Sequence, residues 1–331
     1  MNFKASCVDG LVLPRCKIPF PETCEYTIVP VAISRRGPIP QGIPRRPKAA
    51  SLGMTNQVTN KLLASIFLTL ACSVGAQDGL RSTTGTVVVI GWSRAKIVIA
   101  VDSRGFDDNE KYRDDICKIV ELDGHSVFTA AGNIIHAHNG RALWNAQKAA
   151  MHAFQEAQST GTQRLLKAAA RSWGEHMVTT INQALKDDPA GSKLMLDKNI
   201  FLTGAFLGFE NGSTAMYQVE IVFDPSTQQA KENSYTERHT ITIEFGALGR
   251  NEIVNEIVAD KTRFAKTEQR KWISAERDIP IKDRDVRWAI RLVQLTMEYH
   301  PQRSDVGGPI DALEIARRGI RWVERKTGCS P

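Results

Sequence analysis

The chain is poor in cysteine, in long apolar runs and in cofactor motifs, and each shortage removes a class of protein. Its 331 residues hold six cysteines, of which Cys7, Cys16, Cys24 and Cys72 fall in the first 72 positions and only Cys117 and Cys329 lie beyond. No two stand at a spacing that defines a disulfide framework. The apolar stretch at residues 62–74 is 13 residues long, whereas a bilayer-spanning helix takes about 20. Glycine-rich phosphate loops and zincin motifs are absent, and His136 and His138 have no third ligand at metal spacing. Both histidines read as structural or surface residues, and no metal or organic cofactor is expected.

Positive charge is present but confined. The net charge is +7; residues 1–53 carry eight basic residues against three acids, which leaves a surplus of only two for the other 278 residues. Nothing in the body of the chain asks for a nucleic-acid partner. Residues 1–53 also contain eight of the 14 prolines and no periodicity that could bury a face, so they are expected to be a disordered extension or an artefact of start-site choice. The second reading comes from Met54, which opens a polar start with one lysine, followed by the apolar residues 62–74 and by Gly75-Ala76. That is the pattern of a secretory signal peptide over residues 54–76, with Val74 and Ala76 as the small residues at its cleavage site. Export to the periplasm or the medium follows, with no stable membrane insertion once the signal is gone; if 54–76 is not a signal, the cytoplasm is expected.

Two β-branched runs, residues 87–90 and 97–101, flank the five residues from Gly91 to Ala95 and predict a hairpin with Asp102 at the end of its second strand. Residues 118–122 and 126–131 flank Asp123-Gly124, a dipeptide that tight hairpin turns favour, and predict a second hairpin that Lys118 opens. Gly132 closes the sequence Thr129-Ala-Ala-Gly132. Counted from Thr86, Asp102, Lys118 and Gly132 follow after 16, 32 and 46 residues, and Gly85 precedes it.

In these residues and this register the stretch resembles the catalytic β-type subunits of the proteasome and the bacterial HslV peptidase, members of the N-terminal nucleophile (Ntn) hydrolases. The resemblance implies cleavage of the Gly85–Thr86 bond, which frees Thr86 as an N-terminal residue, with Asp102, Lys118 and Gly132 as its partners. Thr84 is a competing nucleophile, because the family often has a threonine two places after the catalytic one, where Thr86 would then stand. That choice needs two extra residues in the first hairpin.

The chemistry explains the residue types. A threonine hydroxyl needs a base, and its own free amine can serve, directly or through a water. An ordinary α-amine has a pKa of about 8 and is mostly protonated at neutral pH. A neighbouring ammonium, Lys118, disfavours that second positive charge, and Asp102 holds the lysine charged and oriented. Gly132 offers its N–H to the developing oxyanion, where the missing side chain allows close approach.

Beyond Gly132 the pattern turns helical. Leu143, Ala146, Ala150, Phe154 and Ala157 share one helix face, as do Leu166, Ala170, Trp173, Met177, Ile181 and Leu185. Strands are expected at 200–209, 215–222 and 240–245, with a polar loop before the last, then helices at 251–267 and 284–299, then strands at 310–315 and 319–324. The order of strands, two helices, strands, two helices and strands suits an α+β fold, a four-layer αββα sandwich, which is also the fold the resemblance implies. The expected parts are an extension (1–53), a signal (54–76), a propeptide (77–85) and an Ntn-hydrolase domain (86–331). One departure stands out: Val306 and Arg303 occupy the positions of the family's accessory serine and aspartate, leaving Ser304 or Asp305 to substitute after a local shift.

The expected function is that of an exported, self-processing threonine peptidase acting on peptide or protein, with a homo-oligomer as a further option. The rivals are a non-catalytic scaffold or ring subunit of the same fold and an amidase for small non-peptide substrates.

Overall fold

A computed structural model describes residues 80–82, 86–107, 111–138, 141–189, 202–238, 243–300 and 305–329. The expected extension, the signal, Thr84 and Gly85 lie outside the described residues. The fold is α+β: among the described residues helices combine with three antiparallel five-stranded sheets.

The first sheet has the order β13-β2-β3-β14-β15, built from Glu244–Gly249, Val87–Trp92, Lys96–Val101, Asp311–Ala316 and Gly319–Glu324. The second has the order β12-β11-β10-β7-β6, built from Gln229–Arg238, Ser213–Asp224, Leu202–Glu210, Ser126–Gly132 and Ile119–Asp123. Strand side chains point alternately to opposite faces, and here both faces are apolar. From β2 and β3, Val88, Ile90, Ile97, Ile99 and Val101 join Val127, Ala131, Ala205, Leu207 and Met216 of the second sheet in one buried cluster. The alternate residues Val87, Val89, Val98 and Ala100 pack instead against helical side chains such as Val254, Val286, Ala289 and Val293. These belong to α3 (Glu252–Ala259) and α5 (Arg284–Tyr299). On the second sheet, Phe128, Ala130, Phe206, Tyr217 and Val219 pack against α1 (Ala146–Ser159) and α2 (Leu165–Asp187) through Phe154, Ala170, Trp173 and Met177. Each fully buried aliphatic contributes about 1.5–3 kcal/mol. The β2–β3 hairpin, buried on both faces, is therefore held far more firmly than a surface hairpin.

The third sheet is made of short strands in the order β5-β4-β1-β8-β9: Tyr112–Arg113, Gly105–Asp107, Leu80–Ser82, Ile135–His138 and Arg141–Asn145. Its central strand, β1, comes from the chain before Thr86 and runs antiparallel to both neighbours, with Ser82 opposite Phe106 on one side and His136 on the other.

Several expectations need correction. Leu143 lies in β9, and α1 starts only at Ala146 because the Asn145 side chain caps it, accepting from the N–H groups of Gln147 (3.0 Å) and Lys148 (2.9 Å). The helix expected over 251–267 is two: α3 stops at Asp260, whose φ of 50° is left-handed, and α4 (Arg263–Ala275) restarts behind Thr262, which caps Ala265 N–H at 3.0 Å. The polar stretch expected as a loop contains β12, an edge strand, where polar residues are normal. Strand β2 runs on to Trp92, and β6 begins at Ile119, so Lys118 precedes its strand and does not open it. Among the described residues no helix is long and apolar enough to cross a membrane.

Candidate functional site

The hairpin register explains the spacing between Thr86 and Asp102. Val88 lies opposite Val101, so the next pair brings Asp102 against Val87, the residue after Thr86. Val87 N–H donates to Asp102 Oδ1 at 3.0 Å. Lys118 Nζ donates to the same oxygen at 3.0 Å, and the N–H groups of Arg104 and Gly307 donate to Oδ2 at 3.2 Å each. Asp102 and Lys118 are both completely buried. Burying a carboxylate and an ammonium costs several kcal/mol per ion, repaid only when geometry and additional hydrogen bonds are good; four donors on Asp102 meet that condition. Burial pushes the Lys118 ammonium below its ordinary pKa; the charge and hydrogen bond of Asp102 oppose the shift, and the Lys326 ammonium adds to it.

Thr86 sits at the mouth of β2, only 1% exposed, and its hydroxyl is buried with no hydrogen-bond partner among the described residues. An unpartnered buried hydroxyl costs about 1–3 kcal/mol, which makes it unusual for a structural threonine. In the uncleaved chain the Thr86 nitrogen is an amide and cannot act as a base. Gly132 ends β7 with φ at 94°, a conformation that favours glycine, and its carbonyl accepts from Ile134 N–H at 3.0 Å.

The structure thus joins Asp102 to Lys118 directly and to Thr86 through the neighbouring amide. The approach of Thr86 to the end of β7, at Ala131 beside Gly132, runs through Gly249, a residue that sequence reasoning missed. Gly249 pairs with Val87 across β13 and β2, and its φ is 75°. A Cβ there would stand 2.0 Å from Thr86 O and 2.9 Å from Ala131 Cβ. Gly249 therefore lets Thr86 and the end of β7 close on one another, and the next residue, Arg250, donates its N–H to Thr86 O at 2.9 Å. Gly249→Ala is expected to cost at least about 1–3 kcal/mol, from the positive φ alone, and to stop any chemistry at Thr86. Chemical denaturation and intact-mass analysis of the variant check this.

At the departure noted above, Arg303 and Ser304 lie outside the described residues. Val306 is buried in the helix-side cluster, and Asp305 pairs with the Arg250 guanidinium at 2.9 Å. The neighbouring Gly307 does bear on the site: its N–H holds Asp102, and its carbonyl accepts from Ser103 N–H at 3.0 Å. Ser103 Oγ in turn lies within hydrogen-bond distance of the carbonyls of Asp114 (2.8 Å) and Pro309 (2.7 Å), its one proton going to either. A bidentate Arg104–Asp114 pair lies alongside, and Arg104 holds the Asp114 carboxyl below the usual carboxylate range.

Cys117 and Cys329, 212 residues apart, form a disulfide with Cα atoms 5.5 Å apart. Only the fold could show this pairing, because two cysteines at such a distance carry no spacing signal. His136 stacks on Trp144, with ring centroids 4.6 Å apart, and its Nε2 lies 3.6 Å from Asp188 Oδ2. No group of His, Cys, Asp and Glu that could hold a metal ion occurs among the described residues.

Compared with known proteins, the chain matches no family model and no curated protein.

Proposed function

We propose that the chain is a self-processing threonine-type amide-bond hydrolase of the N-terminal nucleophile class, a proteasome-like peptidase, and that its three apolar clusters are the interfaces of a four-layer αββα sandwich. The observation that carries the reading is a Thr86 hydroxyl that is buried without a hydrogen-bond partner among the described residues, one residue before Val87, whose N–H donates to the buried Asp102–Lys118 pair.

In the first event Thr86 Oγ1 adds to the Gly85 carbonyl carbon. The Gly85–Thr86 C–N bond breaks, the nitrogen leaves as an amine, and water opens the resulting ester. The released amine is then the base. Lys118 keeps it largely unprotonated, Asp102 keeps Lys118 oriented, and Gly132 N–H receives the oxyanion. In turnover the hydroxyl proton passes through the amine to the leaving group of a substrate amide, and water hydrolyses the acyl-enzyme.

Strand β1 favours a peptide substrate over a small amide. It belongs to the segment that processing removes, and it pairs with β4 on one side and β8 on the other. Its departure leaves two strand edges facing one slot, into which an extended peptide can hydrogen-bond by main-chain pairing.

Export is part of the proposal. A disulfide between distant cysteines suits an oxidising compartment, in agreement with the signal-like residues 54–76. Intact-mass measurement on the naturally produced protein tests both events together. The expected mass corresponds to a chain beginning at Thr86 with the disulfide closed, recovered outside the cytoplasm. A cytosolic, uncut chain would sink both the export and the processing assignments.

A further inference from the structure

The short segment that carries Lys118 is held from every side by groups the reaction does not use. Ile116 N–H donates to Ser103 O at 3.2 Å, Gln147 Nε2 donates to Cys117 O at 2.6 Å, and Thr129 Oγ1 donates to Lys118 O at 3.0 Å. The two remaining ties come from the C-terminal tail. The Cys117 side chain is bonded to Cys329, and Lys326 Nζ donates to Ile116 O at 2.6 Å.

Lys326 is an unusual choice for a mere staple. Its side chain is 5% exposed and its ammonium pairs at 2.8 Å with Asp311, itself 1% exposed, whose other oxygen accepts from Lys326 N–H at 2.8 Å. Asp311 lies opposite Val101, one residue before Asp102. One buried ammonium thus bridges β14, the strand paired with the one that leads into Asp102, and the backbone that presents Lys118. Putting a second cation so near Lys118 is costly; burial lowers its proton affinity although Asp311 opposes the shift.

We propose that Lys326 is a positioning residue for the Asp102–Lys118 pair, and that it and the Cys117–Cys329 disulfide form a C-terminal clamp whose opening by reduction slows the chemistry at Thr86. The proposal rests on the peptidase reading for its rate effect, but not for the clamp itself. Opening the clamp with dithiothreitol passes two electrons and two protons to the sulfurs of Cys117 and Cys329 and leaves the reagent as its cyclic disulfide. A displacement of Lys118 by about 1 Å is enough to cost up to about 100-fold in rate.

Two readouts on the full chain, refolded with the disulfide closed, keep the clamp and the peptidase reading apart. The first is the rate of Gly85–Thr86 cleavage, followed by intact mass. The second is hydrogen exchange at the Ile116 amide, which needs no activity. Lys326→Met should cleave about 10- to 100-fold more slowly and exchange faster at Ile116, and Lys326→Arg should recover most of the rate. Dithiothreitol on the unaltered protein should act in the same direction, which covers the case in which Lys326→Met fails to fold. Cleavage at the unaltered rate in folded Lys326→Met or after reduction would overturn the positioning role. Unchanged exchange at Ile116 after reduction would overturn the clamp. If the unaltered chain never cleaves while its exchange responds to reduction, the clamp stands and the peptidase reading falls.

Discussion

Thr86→Ala is expected to leave residues 77–85 attached and to abolish turnover, a loss on the order of 10⁶-fold, the scale on which removing the nucleophile of an acyl-transfer site is felt. Its effect on stability should be nil or slightly favourable, since the hydroxyl removed is buried without a partner among the described residues, where desolvation is uncompensated. A structural threonine would behave in the opposite way, with normal activity and lost stability. Thr86→Ser should keep some activity, because hydroxyl and amine survive and only the methyl that restrains the rotamer is lost. Thr84→Ala should cleave and turn over almost normally. Glycine before Thr86 leaves the attacked carbonyl open, whereas cleavage before Thr84 would follow the β-branched Thr83. N-terminal sequencing together with thermal unfolding checks all three variants. A mature terminus at Thr84 would move the nucleophile two residues upstream.

Some of this arrangement could be read from residue order and some could not, for physical reasons. Strands buried on both faces, such as β2 and β3, advertise themselves as β-branched runs, and the amphipathic helices α2 and α5 as one-sided apolar stripes. Local cap chemistry was harder to weigh. Asn145 and Thr262 are ordinary capping residues, yet the apolar stripes continue across them, so the stripes alone extend α1 backward and fuse α3 with α4. The third sheet has strands of two to five residues, too short to show a period. In the site, Asp102 and Lys118 meet because two hairpins have definite registers, and hairpin registers translate into sequence spacing. Gly249, Gly307 and Lys326 arrive from the far end of the chain, and only packing shows that they touch Thr86, Asp102 and the Lys118 segment.

Lys118→Ala and Asp102→Asn should each slow cleavage and turnover by on the order of 10² to 10⁴-fold, the range a positioned acid–base partner supplies. The reasons differ. Lys118→Ala strands a buried carboxylate next to the reacting residue in both steps, at a cost of about 3–5 kcal/mol, and in turnover it also removes the charge proposed to suppress protonation of the freed Thr86 amine. Asp102→Asn keeps an acceptor for Val87 N–H and Lys118, but turns an amide NH₂ toward the N–H groups of Arg104 and Gly307, which donate to Oδ2. Lys118→Arg should not rescue, because a planar guanidinium cannot replace a compact ammonium in a fully buried site. The pH profile carries the sign of the charge argument. On the acid side activity should fall as the proposed Thr86 amine protonates. On the alkaline side it should fall as Lys118 loses its proton. Because burial lowers the Lys118 pKa against the pull of Asp102 and Asp114 and with the push of Lys326, that limb should begin below the range of an ordinary lysine. A rate that stays flat up to the ordinary lysine range, or near-normal hydrolysis by Lys118→Ala, would mean that the buried pair holds the fold together and takes no part in the chemistry of Thr86.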